Sequence, residues 1–77
     1  MNVEKIKARV AFLIDEANTK IREAKKEKNN ELRHYYEGSL YNAKMVALAM
    51  DCEIKYKDGK AYLSEIKTTW VKSIDKF

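Results

Sequence analysis

The stretch HYYEGSLYNAKMVALAM, residues 34–50, decides the fold, because it is apolar on two opposite sides when it is wound into a helix. One face carries Tyr36, Leu40, Ala43, Ala47 and Met50, and the opposite face carries Tyr41, Met45 and Leu48. A helix that is apolar on both sides is typically buried on both sides. We therefore predict a helix over residues 31–51 that packs against a neighbouring helix on one side and needs a second cover on the other.

An amphipathic helix is also predicted upstream, over residues 3–28. Its apolar residues recur at spacings of three and four, which is typical of a helix with one buried face. These residues are Val3, Ile6, Val10, Leu13, Ala17, Ile21 and Ala24. Asn2 suits the N-cap position. At the other end, Asn29 and Asn30 favour a turn, because asparagine tolerates the left-handed conformation.

The short Asn-Asn connection predicts that the two helices form an antiparallel hairpin. With the turn at residues 29–30, facing residues have numbers that sum to about 59. Leu13 is then expected to meet Val46, and Ala17 to meet Ala43. The predicted fold class is mainly α: an antiparallel helical hairpin with a small C-terminal unit, all within one domain over residues 1–77.

The pattern changes after the second helix, in the stretch EIKYKDGKAYLSE, residues 53–65. Apolar and polar residues alternate around Asp58-Gly59, which indicates a two-residue hairpin turn. A short β-hairpin over residues 53–63 is therefore predicted, with Tyr56 opposite Ala61. The alternative is that these residues join a helix.

A helical spacing overlaps the end of this stretch and continues to the end of the sequence. It is carried by Leu63, Ile66, Trp70, Ile74 and Phe77. We predict a third helix over residues 64–76, with Ser64 as its N-cap.

Length and composition limit the classes of protein that this chain can form. A domain of 77 residues lies near the lower limit for a stable core, so close packing or a second copy is expected. The one cysteine, Cys52, allows neither an intrachain disulfide nor a zinc cluster, and it suits the cytoplasm. The first apolar run is AFLI, residues 11–14, which predicts neither a signal peptide nor a membrane span.

Catalytic motifs are missing from the sequence. It contains no G-x-S-x-G, H-E-x-x-H, P-loop or C-x-x-C pattern. The single histidine, His34, has no second histidine or cysteine nearby with which to share a metal ion. We expect a solvated histidine and a non-enzymatic protein that needs no metal and no cofactor.

The outward apolar residues predict a protein interface formed by Phe12, Tyr41, Met45 and Leu48, to which Trp70 adds. Aromatic residues and methionine are enriched at interfaces. We expect a protein–protein interaction module, an adaptor, regulator or inhibitor of a larger protein, that forms a homodimer. The alternative cover for these residues is the third helix of the same chain.

A nucleic-acid-binding function is the second hypothesis, because the net charge is +4 and the lysines cluster in two places. The tip of the helical hairpin, residues 20–33, carries Lys25, Lys26, Lys28 and Arg33, and the predicted ribbon carries Lys55, Lys57 and Lys60. Glu23 and Glu27 lie within one helical turn of several of these lysines, which favours a solvated surface.

Overall fold

The computed structural model describes residues 2–66 and is mainly helical, with two helices and one two-stranded antiparallel sheet. The elements in chain order are α1 (Val3–Lys26), α2 (Asn30–Ala49), β1 (Cys52–Lys57) and β2 (Lys60–Glu65). Both helices and the β-hairpin predicted from the sequence are present, and the ends of each element lie within two residues of the predicted ones.

Polar caps explain where the two helices begin. The Asn2 side chain accepts a hydrogen bond from the Lys5 N–H over 3.2 Å at the start of α1. The Asn29 side chain does the same for the Leu32 N–H, over 3.1 Å, at the start of α2. Asn29 is therefore an N-cap, and the left-handed residue that was predicted at Asn29 or Asn30 is Lys28, with φ 55°.

The connection between the helices is a tight helix-ending motif. The N–H of Asn29 donates to the carbonyl of Ala24 over 2.9 Å, and the N–H of Lys28 donates to Lys25 over 3.2 Å. These two bonds around a left-handed residue form a Schellman motif, which satisfies carbonyls that the end of α1 would leave free. The chain needs three residues, 27–29, to pass from α1 to α2.

The sheet follows the predicted register. Tyr56 lies opposite Ala61, and Lys57 lies opposite Lys60 beside the turn. The two turn residues, Asp58 and Gly59, both have positive φ, 55° and 79°, as a type I′ turn requires.

The core lies between the sheet and the two helices. Its buried members are Val10, Ala11 and Ile14 of α1, Ala43 and Ala47 of α2, and Cys52, Ala61 and Leu63 of the sheet. β2 packs on α1, β1 packs on α2, and the two helices also contact each other. The sheet therefore covers one side of the helix pair.

The buried face of α1 agrees in part with the predicted seam, because Val10, Ala17, Ile21 and Ala24 are buried as predicted. Ile14 is 0% exposed and Ala11 is buried, although neither belongs to the predicted seam. Leu13, which does belong to the predicted seam, is 43% exposed, and Val3, another member of it, is 49% exposed. The reason is that α1 packs against the sheet as well as against α2, which turns its buried face toward Ile14.

The predicted third helix does not begin at Ser64. Ser64 pairs with Glu53 in the sheet, and Glu65 is the last residue of β2. The N–H of Ile66 then donates to the carbonyl of Asp51 over 2.9 Å, which extends the ladder by one more bond. Backbone pairing thus takes precedence over the helical spacing here, and the remainder of the predicted helix, with Trp70, lies outside the described residues.

Candidate functional site

The surface of α2 is the feature that most needs a functional explanation. Of its 20 residues, two are buried within the described part of the chain, Ala43 and Ala47. Both are small, and Leu40 is the one larger apolar side chain of α2 that packs against the core of residues 2–66, where it is partly buried. The helix therefore contributes less apolar area to the core than α1 does. Most helical stability in proteins comes from the packing of an apolar face. A long helix with so little packing is therefore short of contacts.

The outward side of α2 is apolar. Tyr41 is 63% exposed, Met45 46% and Leu48 58%. Their spacings of four and three residues place them on one face of the helix. Between Gly38 and Met50 the sequence has one charged residue, Lys44. This surface is therefore mostly apolar, and Lys44 is the one charge beside it, since it follows Tyr41 by three residues. Few charged groups would have to lose water if the face were covered.

Phe12 belongs to a different surface. Its side chain is 55% exposed and lines an open groove between α1 and β2, together with Tyr56 and Leu63. The guanidinium of Arg9 lies 5.7 Å from the centre of the Phe12 ring, at cation–π distance. The predicted interface residues of α2 do not line this groove. The structure thus exposes all four predicted residues inside its described range without grouping Phe12 with the other three.

A second groove, between the two helices, was missed by the sequence analysis. It is lined by Leu13, Ala17, Tyr35, Ala43 and Val46, among others. Leu13 and Val46 are both nearly half exposed. The predicted pairing of the two helices placed Leu13 opposite Val46 between them, so it did not identify these two residues as surface residues. The tyrosine pair at its rim, Tyr35 and Tyr36, is in edge-to-face contact with ring centroids 5.0 Å apart.

Polar contacts attach the sheet to the side of α1. The Asp15 carboxylate accepts a hydrogen bond from the Ala61 N–H over 2.9 Å, and the Asn18 amide donates to the Tyr56 hydroxyl over 3.1 Å. At the other end of the sheet, Lys7 forms an ion pair of 2.9 Å with Glu65. The hydrogen bond to Glu65 is the main reason that the pKa of Lys7 is raised from 10.5. These contacts fix the sheet on α1, while the outward side of α2 stays uncovered by the described residues.

The predicted nucleic-acid contacts fall into two groups in the structure. Lys55, Lys57 and Lys60 all lie on the exposed face of the sheet, opposite the core. Lys25, Lys26 and Lys28 are exposed around the end of α1, whereas Arg33 is half-buried. Lys55 forms an ion pair with Glu53 over 3.3 Å, so part of its charge is already balanced.

The histidine and the cysteine have different surroundings in the structure. His34 is exposed and lies 3.3 Å from the Glu37 carboxylate, a contact that is an ion pair when the imidazole is protonated. Cys52 is a buried free thiol. The described residues include no group of three His, Cys, Asp or Glu side chains that could hold a metal ion. Neither α1 nor α2 combines the length and the apolar character needed to cross a bilayer.

Comparison of this chain with protein-family models, with curated proteins and with solved structures finds no match.

Proposed function

We propose that this protein is a non-enzymatic protein–protein interaction module that forms a homodimer through the outward face of α2, defined by Tyr41, Met45 and Leu48. The observation that carries the proposal is the packing of α2, a 20-residue helix of which Ala43 and Ala47 are the buried residues. A dimer would give this helix the apolar contacts that it lacks within the described chain.

The scarcity of charged residues on the α2 face supports a second copy of this chain as the partner. In a two-fold symmetric interface each copy contributes the same patch, so residues near the axis face their own counterparts. A charged patch would then face like charge, and two chains of net charge +4 already repel each other. The stretch from Gly38 to Met50 carries Lys44 as its one charge, and is therefore well suited to self-association.

An antiparallel arrangement of α1 and α2 is part of the proposal. Its support is that Leu13 and Ala17 of α1 line one groove with Ala43 and Val46 of α2. These are the residues that a turn near residue 29 would bring to the same level. In such a hairpin both helices present an outward side, and the sheet covers one side alone. The module would act in the cytoplasm, since Cys52 is a free thiol, and a larger protein could use the same α2 face as an adaptor or regulator would.

Sedimentation velocity of the full chain over a concentration range tests the proposal. We expect a monomer–dimer equilibrium, and we expect Met45→Glu with Leu48→Glu to give a folded monomer, because two buried carboxylates per copy would face each other. Circular dichroism checks that the variant is folded. Val3→Glu with Leu32→Glu is the matched control, since it adds the same charge at exposed apolar positions outside the α2 face.

Three other results of the sedimentation test would each lead to a different conclusion. A wild-type chain that stays monomeric at every concentration would reject the homodimer. A double variant that unfolds would show instead that Met45 and Leu48 are packed inside the monomer by the part of the chain beyond residue 66. A control variant that also becomes monomeric would show that added charge, rather than the α2 face, controls association.

A further inference from the structure

We propose that a basic face on the side of the molecule that carries the sheet binds the phosphate backbone of double-stranded nucleic acid. This basic face consists of Arg22 and Lys25 of α1 and of Lys57 and Lys60 beside the turn of the sheet. It is separate from the α2 face, and the proposal does not depend on dimer formation.

The structure combines two sets of cations that are far apart in the sequence. Arg22 and Lys60 both border the open groove between α1 and the sheet. Because the Lys60 side chain lies on the outer face of the sheet, we place their shared positive charge at the rim of this groove, beside the turn. The hydrogen bond between Asn18 and Tyr56 holds the turn end of the sheet against this part of α1. Arg22 and Lys25 follow Asn18 by four and seven residues, which places them on the face of α1 that meets the sheet.

The two lysines of the sheet lie directly opposite each other. Lys57 and Lys60 are cross-strand partners next to the two-residue turn, and both are exposed. Like charges in directly opposed positions destabilise an antiparallel pair. The turn itself does not need lysine at either position, because Asp58 and Gly59 supply its positive φ angles. An anion bound between the two ammonium groups would relieve this repulsion.

The cations of the basic face lack acidic partners within the described residues. Lys7, Lys20 and Lys55 each have a carboxylate within 4.0 Å. Over residues 2–66, Arg22, Lys25, Lys57 and Lys60 have none, and Arg22 donates instead to the hydroxyl of Thr19 over 3.3 Å. Their charges are therefore balanced by solvent ions, which a phosphate backbone can replace with a gain in entropy.

The chemistry of the face favours phosphates over bases. Three of its four cations are lysines, which act as point charges, whereas arginine is the better reader of base edges. Tyr62 is the one aromatic side chain on the outer face of the described sheet, where Lys57 and Lys60 lie. The exposed rings of Phe12 and Tyr56 instead line the groove on the side of α1. The outer face of the described sheet therefore offers no row of aromatic rings on which successive single-stranded bases could stack. A two-stranded ribbon has the width of the major groove, and we therefore assign the face to duplex nucleic acid without sequence preference.

Fluorescence anisotropy with a labelled DNA duplex of about 20 base pairs tests this assignment, since a duplex of that length spans roughly 70 Å and has ample room for four phosphate contacts. We expect binding at low salt, with a log–log salt slope of roughly −3 to −4 for four phosphate contacts. Replacing Arg22, Lys57 and Lys60 by glutamine should reduce the slope by about 3 and weaken binding at every salt concentration.

The matched control replaces one arginine and two lysines outside the face, Arg9, Lys5 and Lys44, by glutamine and so lowers the net charge by the same amount. This control variant should retain most of the wild-type log–log slope of binding against salt concentration. Loss of binding in the control equal to that in the basic-face variant would overturn the proposal, as would an absence of binding at low salt. Tighter binding to a single strand, or equal binding to polyglutamate, would overturn the assignment to duplex nucleic acid.

Discussion

The carboxylate of Asp15 in α1 accepts a hydrogen bond of 2.9 Å from the backbone N–H of Ala61 in β2. Hydrogen-bonded and non-hydrogen-bonded residue pairs alternate along an antiparallel ladder. At the end of the ladder far from the turn, the N–H of Ile66 donates to the carbonyl of Asp51, which makes that pair a hydrogen-bonded one. The pair Tyr56–Ala61 lies five positions from the pair Asp51–Ile66, so it is of the non-hydrogen-bonded type. The N–H of Ala61 therefore points away from β1. Asp15 thus occupies a free edge of a sheet that two strands alone would barely stabilise.

Replacing Asp15 by alanine should lower the free energy of unfolding by about 1–3 kcal/mol, because it leaves a partly buried N–H without a partner. Asp15→Asn should cost less, since its amide oxygen can still accept the bond. Urea denaturation measures both, with Glu16→Ala as the control at an exposed neighbour. An Asp15→Ala variant as stable as the control would mean that this bond does not anchor the sheet.

Neighbouring residues Leu13 and Ile14 should respond very differently to truncation. Ile14 is 0% exposed at the centre of the core, so Ile14→Ala should cost about 2–5 kcal/mol. Leu13→Ala removes a side chain that is nearly half exposed, and we expect a much smaller loss of stability. Thermal unfolding of the two variants distinguishes the observed core from the seam predicted by spacing. Equal losses, or a larger loss for Leu13, would favour the predicted seam.

The difference between these two residues shows what sequence patterns can and cannot predict in this chain. Helical spacing, the Asn2 cap and the Asn29-Asn30 turn predict both helices, and Asp58-Gly59 predicts the hairpin with its register, because these signals are local. The direction of the buried face of α1 depends on the sheet that packs against it, which is a tertiary contact. A stripe containing Leu13 and one containing Ile14 both have helical spacing, so periodicity alone cannot choose between them.

The candidate surfaces also divide into one that local sequence patterns predict and others that depend on tertiary contacts. The exposure of Tyr41, Met45 and Leu48 agrees with their position on α2 opposite the core, which a helical projection predicts. The proximity of Arg22 and Lys60 depends on how the hairpin docks on α1, and no spacing in the sequence encodes it. The same is true of the groove that contains Leu13 and Val46.

The overpacking variant Ala17→Phe tests whether α1 and α2 are close neighbours along their length. Ala17 is buried and lines one groove with Ala43 of the other helix. A phenyl ring at this position should cost about 1–3 kcal/mol of stability by forcing the helices apart. Ala8→Phe, at an exposed position of the same helix, is the control. An unchanged thermal midpoint for Ala17→Phe would contradict the proposed helix pairing.

The turn of the β-hairpin should not tolerate a side chain at Gly59. Its φ of 79° lies in the left-handed region, where alanine is strained, although a Cβ there would meet no atom within 4 Å. We expect Gly59→Ala to lower stability by about 1 kcal/mol through backbone strain alone. Gly59→Asn should recover part of the loss, because asparagine tolerates this conformation. Urea denaturation that ranks asparagine below alanine would argue against a type I′ turn.

Replacing Gly38 by alanine should raise the stability of the protein, whereas the same replacement at Gly59 should lower it. Gly38 lies inside α2 with helical geometry, and a Cβ at this position would meet no atom within 4 Å in the described chain. Glycine in a helix interior is less favourable than alanine by about 1 kcal/mol, so Gly38→Ala should raise the free energy of unfolding by up to that amount. The measurement is urea denaturation at a concentration where sedimentation shows monomer. If Gly38→Ala were instead destabilising, the added methyl group would have to clash with something beyond residues 2–66. If stability rose while the dimer weakened, the partner helix would cross α2 at Gly38, since a close approach of two backbones is what the missing side chain permits.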